Sequence, residues 1–487
     1  MNRPFGALVL FETRLQLRNP IVLFLAVVTL GARTFTSWQQ MPNWSVDTVD
    51  TATAVLILGA GAMLASNLAT LRDSRGGLAE LLAPLPVRPR TRTLAVLVAA
   101  VSVAVLLSAL IMALHFATLL VGSVPVGRFD ITELVTGVVM VGLMAATGVA
   151  LARWVPGLIA APITVLVLVW AMFQFPGVWL LPVVPDLKIA IDAARPPLWH
   201  LLYAVGLLVS VFAVAMLRHG VRAWPGTLLV AGLVAVVFGG VLTTTSPEAS
   251  SPSANASRGR SDRLVTAGAD HCETLNGVRY CSFPSFAAWI PLWQQAVDPV
   301  VAAAPPAART ELPSIVQRTR TGKFDLQAQR TVIMPDTSWG RNGGETASRR
   351  SLAAQMAGAL TGFPPITVRE TIDGCDARNQ SRTVIALWLT GQVETAVEPE
   401  RTHSQVRRPD GGEGTRTRAT SDLGSVDYGD AELALAAKLL ASPDAQKRIW
   451  EHWDVLVDPA TTIEQALPLL GLTGDVPVEQ PGGTPCR

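Results

Sequence analysis

Few residues in this chain could do chemistry, and they are scattered. Four cysteines (Cys272, Cys281, Cys375 and Cys486) and three of the six histidines (His271, His403 and His452) fall in the second half of the 487 residues. An even cysteine count confined to one polar region is the pattern of disulfides made in an oxidising compartment. Cys272 and Cys281 flank ETLNGVRY, where Asn276-Gly277 is a turn signal, so a hairpin-like staple is expected there. Cys375 and Cys486 would then tie the tail to the domain, although four cysteines allow three pairings, and free buried thiols are the alternative. Glu451, His452 and Asp454 share one predicted helix, but no second pair has the spacing of a metal site, so no metal is expected. HExxH and GxSxG do not occur, which removes the commonest single-helix zinc-protease motif and the nucleophile elbow. A phosphate loop is missing too, since Gly322-Lys323 lacks the first glycine and the hydroxyl of GxxxxGK[ST]. The chain is therefore expected to be no enzyme and to bind no cofactor itself; ATP, if used, binds another polypeptide.

The elements that carry these residues are of two kinds. Apolar segments at 20–38, 51–71, 94–121, 131–152, 158–181, 198–217 and 224–242 have the length of bilayer spans, about 20 residues each. In lipid the backbone must satisfy itself, so each is read as a helix. The expected fold is a polytopic α-helical membrane protein of about seven spans with an N-terminal interfacial helix, followed by an extracytoplasmic, mainly helical α+β domain. The domains are placed at 1–19 (interfacial elbow), 20–243 (transmembrane), 244–263 (linker rich in Ser, Pro and Ala) and 264–487 (disulfide-bearing domain). Glu12, Arg14 and Arg18 interrupt the apolar run that a cleavable signal peptide would need.

Charge gives the spans a direction. With the N-terminus in the cytoplasm, the inner segments hold eleven arginines, and the outer ones hold Arg33, Arg128, Lys188 and Arg195, as the positive-inside rule requires. Residues 1–245 carry 15 basic and 9 acidic groups and the remainder carries 24 and 28, so the two halves suit different surroundings. The arginines form no stripe interleaved with aromatics, and no nucleic-acid partner is expected.

Within the spans, polar groups are sparse. Arg33 lies near the outer end of the first span, where a long side chain can snorkel to the interface. Asn67 and His115 are the deeper candidates for a substrate pathway, with a helix-packing or interfacial histidine as the alternative for His115. Mid-span carboxylates, which ion-coupled carriers need, are not evident, and Glu133 lies at a span edge. Gly59, Gly61, Gly142 and Gly148 read as sites of close helix approach.

Two local motifs sit on the predicted cytoplasmic side. Residues 5–17 are amphipathic and end at Asn19-Pro20, where the residue before proline disfavours helix. Residues 71–93, LRDSRGGLAELLAPLPVRPRTRT, place a short apolar-acidic helix, LAELLAP, between a glycine turn and two prolines. LVLFETRLQLRNP, RDSRGGLAELLAPLPVRPRTR and the first six spans together resemble the permease subunit of ABC-2 type transporters over about residues 5–220. The resemblance implies a coupling helix at 78–85, with Arg75, Leu78, Glu80, Leu81 and Leu82 meeting a cytoplasmic ABC ATPase that holds ATP and Mg²⁺. It also implies a second permease copy or homologue as partner and, with an apolar interior, export of an amphipathic molecule. The family's common core has six spans, so the seventh and the domain behind it depart from the pattern. A non-transporting receptor or scaffold and a membrane-tethered enzyme are the alternatives.

In that domain, Phe286, Trp289, Ile290, Trp293, Val297 and Val300 recur at helical spacing and predict a buried face. Further helices are expected at 347–360, 383–397, 431–440, 444–455 and 463–470. Ser442-Pro443 is read as one cap, Thr461-x-x-Glu464 as a capping box, and 398–425 as a disordered loop. The domain is expected to cap, gate or dock an extracytoplasmic partner.

Overall fold

A computed structural model of the chain describes residues 3–72, 88–121, 124–127, 129–174, 197–220, 222–245, 271–317, 332–333, 338–363, 375–393, 401–407, 413–419, 423, 426–473 and 485–486. The chain divides into two compact units, Met1–Asn255 and Ala256–Arg487.

The first unit is a membrane bundle. An amphipathic helix, α1 (Arg3–Leu17), precedes α2 (Pro20–Ser37), α3 (Trp44–Leu71), α4 (Pro89–Leu119), α5 (Ile131–Trp154), α6 (Ala160–Gln174), α7 (Pro197–Leu217) and α8 (Ala223–Thr245). Among the described residues six of these, α2 to α5, α7 and α8, are long and apolar enough to cross a membrane. The segment expected at 158–181 appears as α6, of 15 residues. At 1.5 Å per residue it reaches about 22 Å, short of the ~30 Å hydrocarbon core, and residues 175–181 lie outside the described set. The Asn19-Pro20 bend is capped, with the Asn19 side chain accepting from the Ile21 amide at 3.0 Å. The third helix begins at Trp44, seven residues before its expected start, because Asn43 caps it by accepting from the Ser45 amide at 3.1 Å. That shift draws Asp47 and Asp50 into the helix.

The bundle is apolar on both sides, as a bilayer demands. Phe24, Val27, Leu106, Val237 and Phe238 face outward, while Val55, Leu58, Ala62, Ala100, Val141 and Ala145 pack inside. Lipid offers no hydrophobic contrast, so small interior residues allow the close contact that holds such helices together.

The second unit mixes strands and helices. Strands β1 (His271–Leu275) and β2 (Val278–Ser282) form an antiparallel hairpin, continued by β3 (Ser314–Val316) and β4 (Val332–Ile333) in parallel. Asn276 and Gly277 both have positive φ, 49° and 82°, the two-residue turn whose twist matches a hairpin. A 3₁₀ turn (Pro284–Trp289) and α9 (Ile290–Ala303) bury Phe286, Trp289, Ile290, Trp293, Val297 and Val300 as the core face. Behind them lie α10 (Glu345–Leu360), the short strand β5 (Cys375–Asp376), α11 (Ser381–Thr390), α12 (Asp430–Leu440), α13 (Ala445–Glu451), α14 (Trp453–Leu456) and α15 (Ile463–Leu469).

Three sequence expectations fail here. The stretch 398–425 is not loop throughout: β6 (Arg401–Arg407) pairs antiparallel with β7 (Glu413–Ala419), from Arg401 opposite Ala419 to Arg407 opposite Glu413. Its polar composition hid a register in which Thr402, Ser404 and Val406 stand opposite Arg418, Arg416 and Gly414. The capping box lies one residue later than expected, at Thr462 and Gln465, whose backbone and side chains bond reciprocally at 3.0 and 3.4 Å. Thr461 is occupied instead in receiving the Ser381 amide at 3.0 Å on its carbonyl. The helix expected at 444–455 breaks at His452 into α13 and α14, and Asp444, not Ser442, stands at its N-cap position.

Candidate functional site

The membrane bundle holds its polar groups in separate levels. At the N-terminal end of α3, Arg33 of α2 is buried with 6% exposure and is ion-paired with Asp47. Its Nε lies 3.3 Å from Thr51 Oγ1, and Nη2 stands 3.8 Å from Asp50. Asp47 also accepts from the Asn43 amide at 2.8 Å. Arg33 thus does not snorkel: two carboxylates and a hydroxyl at i, i+3 and i+4 present one helical face to it. That spacing was visible in the sequence, but only for a helix starting before residue 47. Burying a cation is tolerable when it is paired and hydrogen-bonded in this way.

The same end contains His115, fully buried on α4. Its ring lies 5.8 Å from that of Phe116, which packs against Trp44 at 5.4 Å and Phe129 at 5.9 Å. A Cβ on Gly137 of α5 would meet Ala52 and Met112 at 2.9 Å, so these three residues share one depth. Glu133, four residues before Gly137, and His115, three beyond Met112, therefore each lie about one turn nearer that end of the bundle. Glu133 is buried as well, at 7% exposure, and belongs to a helix start capped by Asp130, which accepts from the Thr132 and Glu133 amides at 2.9 and 3.2 Å.

Deeper, α3 and α5 are clamped by side chain to backbone bonds. Asn67 donates to Gly148 O at 3.2 Å and Ser66 to Ala145 O at 2.8 Å. A Cβ on Gly148 would collide with Met63 O and Ser66 Oγ, so glycine sets the approach. Asn67, expected among pathway candidates, spends its amide on helix packing, where such bonds contribute about 0.6 kcal/mol each.

At the opposite end, α1 is fastened to α3. Glu12, with its side chain 5% exposed, pairs at 2.7 Å with Arg72, the residue that follows α3. Arg75, Leu78, Glu80, Leu81 and Leu82 follow directly and lie outside the described residues. Arg72→Ala is expected to cost about 1–2 kcal/mol, between an exposed pair and a buried unsatisfied carboxylate. Glu12→Ala with Arg72→Ala should cost less than the sum of the singles, measurable as a double-mutant cycle in thermal unfolding.

In the second unit, Cys272–Cys281 bridges directly opposed residues of the β1–β2 hairpin, and Cys375–Cys486 spans 111 residues. The tail is held by more than the disulfide. Cys486 O accepts from Gln380 at 3.0 Å and Arg382 at 2.9 Å, and its amide donates to Asp376 O at 3.0 Å. Arg382 is 1% exposed and lies over the Phe363 ring at 4.3 Å. Burial pushes its pKa down while Asp458 raises it, and guanidinium basicity leaves it charged. Sequence reading missed Arg382, whose partners are brought in from a tail more than a hundred residues away. On the core side, burial and then the Asp298 charge push the Tyr280 hydroxyl far above its usual range, so it stays neutral.

Among the described residues no group of three or more His, Cys, Asp or Glu is placed to hold a metal ion. His271 reaches Glu273 at 2.9 Å on the exposed strand β1, while His452 caps the α13–α14 break. A cavity of about 200 Å³ is lined by Ser338, Trp339, Ser348, Ser351, Leu352 and Gln355 along one face of α10. No protein-family model, curated protein or solved structure matches the chain.

Proposed function

We propose that the chain is the permease subunit of an ATP-driven, ABC-2-like transporter, working as a pair with a second copy or homologue and with separate cytoplasmic ATPase subunits. The observation that carries this reading is the Glu12–Arg72 pair at 2.7 Å. It fastens an interfacial helix to the end of α3, six residues before LAELLAP begins at Leu78. A push delivered to that segment would reach both the interfacial helix and the core helix packed on α5. The chain encodes no phosphate loop, so ATP and Mg²⁺ belong to the partner. The charge bias puts the N-terminus in the cytoplasm, and the disulfides suit a C-terminal domain on the oxidising side. There the domain caps, gates or docks a partner at the exit of an export path. Amphipathic cargo agrees with a bundle that is apolar inside apart from its separated polar levels.

Capture from membranes in mild detergent tests this. The wild-type chain should retain an ATP-binding polypeptide, and Arg75→Ala with Glu80→Ala should lose it at least tenfold; equal retention after the segment 71–93 is scrambled would overturn the assignment. A receptor reading is favoured by one observation, the serine-lined cavity on α10. It predicts an unaccompanied protein whose C-terminal domain is stabilised by a small polar molecule.

A further inference from the structure

The end of the bundle where α4 and α8 begin and α5 and α7 end gathers positive charge. Arg90 lies within electrostatic reach of Arg222 and Arg88. Arg218 donates to Arg153 O at 3.3 Å and lies 5.9 Å from the Trp154 ring. Between them His219 shares a 2.8 Å hydrogen bond with Thr93 of α4, which joins the ends of α4 and α7. Burial, then Arg153, Arg218 and Arg90, hold the His219 imidazole below its usual pKa, so the histidine is neutral at pH 7 and the charge is that of the arginines. Among the described residues no carboxylate forms an ion pair with Arg88, Arg90, Arg218 or Arg222. The N-termini of two long helices, Pro89–Leu119 and Ala223–Thr245, point their positive ends to the same place. The surroundings are those of a lipid interface: Trp154 is 52% exposed and Trp224 41%, with Leu158 and Ile159 also uncovered.

We propose that this cluster, built on Arg90, Arg218 and Arg222, is a binding site for the phosphate of an anionic phospholipid headgroup. Arginine forks match phosphate oxygens in pairs, and the two helix ends add backbone donors. The flanking tryptophans place the phosphate at headgroup depth, which favours lipid over the acidic surface of a protein. The site does not depend on an ATPase partner; only the leaflet, the cytoplasmic one, rests on the orientation proposed above.

Native mass spectrometry of the full chain in mild detergent, titrated with phosphatidylglycerol, phosphatidylcholine or inorganic phosphate, tests it. Phosphatidylglycerol should be retained by the wild type and by R14Q/R18Q, which removes equal charge at the C-terminal end of α1. R90Q/R222Q should bind it about tenfold more weakly, and R90K/R222K should recover part. R218Q alone repeats the test at an exposed position should the double variant not fold. Retention of phosphatidylcholine equal to that of phosphatidylglycerol would overturn the proposal, as would unchanged binding in R218Q and R90Q/R222Q. Inorganic phosphate bound at the same arginines and competing equally would overturn the lipid source. So would an acidic polypeptide held there in place of lipid and lost with the same substitutions.

Discussion

Arg33→Ala is expected to destabilise the membrane bundle by about 3–5 kcal/mol, the cost of leaving a buried charge without its partner. The residue removed is the cation facing Asp47 and Asp50, the first of which is 6% exposed. Thr51 would lose a donor at the same time. Because the penalty comes from the stranded carboxylate and not from a lost attraction, neutralising the carboxylate should reverse part of it. Arg33→Ala/Asp47→Asn should therefore be more stable than Arg33→Ala alone, and Arg33→Met/Asp47→Leu should come close to the wild type. Thermal unfolding of the purified chain, followed by tryptophan emission, reads these differences through Trp44, one turn from Asp47. A loss below about 1 kcal/mol for Arg33→Ala would mean that the arginine reaches the interface after all, as its place in the sequence first implied.

The second large effect is expected at the tail. Cys375→Ser/Cys486→Ser opens a loop of 111 residues, for which the chain-entropy estimate is about 5 kcal/mol. Cys272→Ser/Cys281→Ser opens one of nine and should cost about 2–3 kcal/mol on the same estimate. The ranking is sharpened by what the tail carries: losing Cys486 from its place takes an acceptor from the buried guanidinium of Arg382 and from the side-chain amide of Gln380. Reductant should therefore expose the tail to proteolysis before the β1–β2 hairpin opens. Equal protection of the two disulfide variants would show that Arg382 and Asp376 hold the tail without the covalent link.

What the sequence disclosed, and what it withheld, follows from the range of the forces involved. Spans were legible because a 20-residue apolar run has few other uses, and the cysteine pairing at Asn276-Gly277 because turn geometry is local. The ion pair was not, since hydropathy starts the second span at residue 51, whereas Asn43 capping extends the helix back to Trp44 and carries Asp47 inside. Arg33 then found a partner fourteen residues away instead of water. The strands β6 and β7 were hidden because arginine and threonine can alternate in a strand without an apolar face to announce it. Arg382 was invisible for a different reason: its acceptors on Gly362 and Cys486 are assembled only by the tertiary fold. The clamp of Asn67 on Gly148 likewise depends on how α3 and α5 are paired.

The proposed coupling of this bundle to an external ATPase is tested most directly at position 80. The chain has no free cysteine, so Glu80→Cys introduces a unique thiol, to which a short photoactivatable maleimide can be attached from the cytoplasmic side of sealed vesicles. Illumination is expected to yield a covalent adduct with an ATP-binding polypeptide, stronger or weaker by several-fold when ATP is added. Labelling only from the opposite side of the membrane, or adducts that never include an ATP-binding polypeptide, would contradict it.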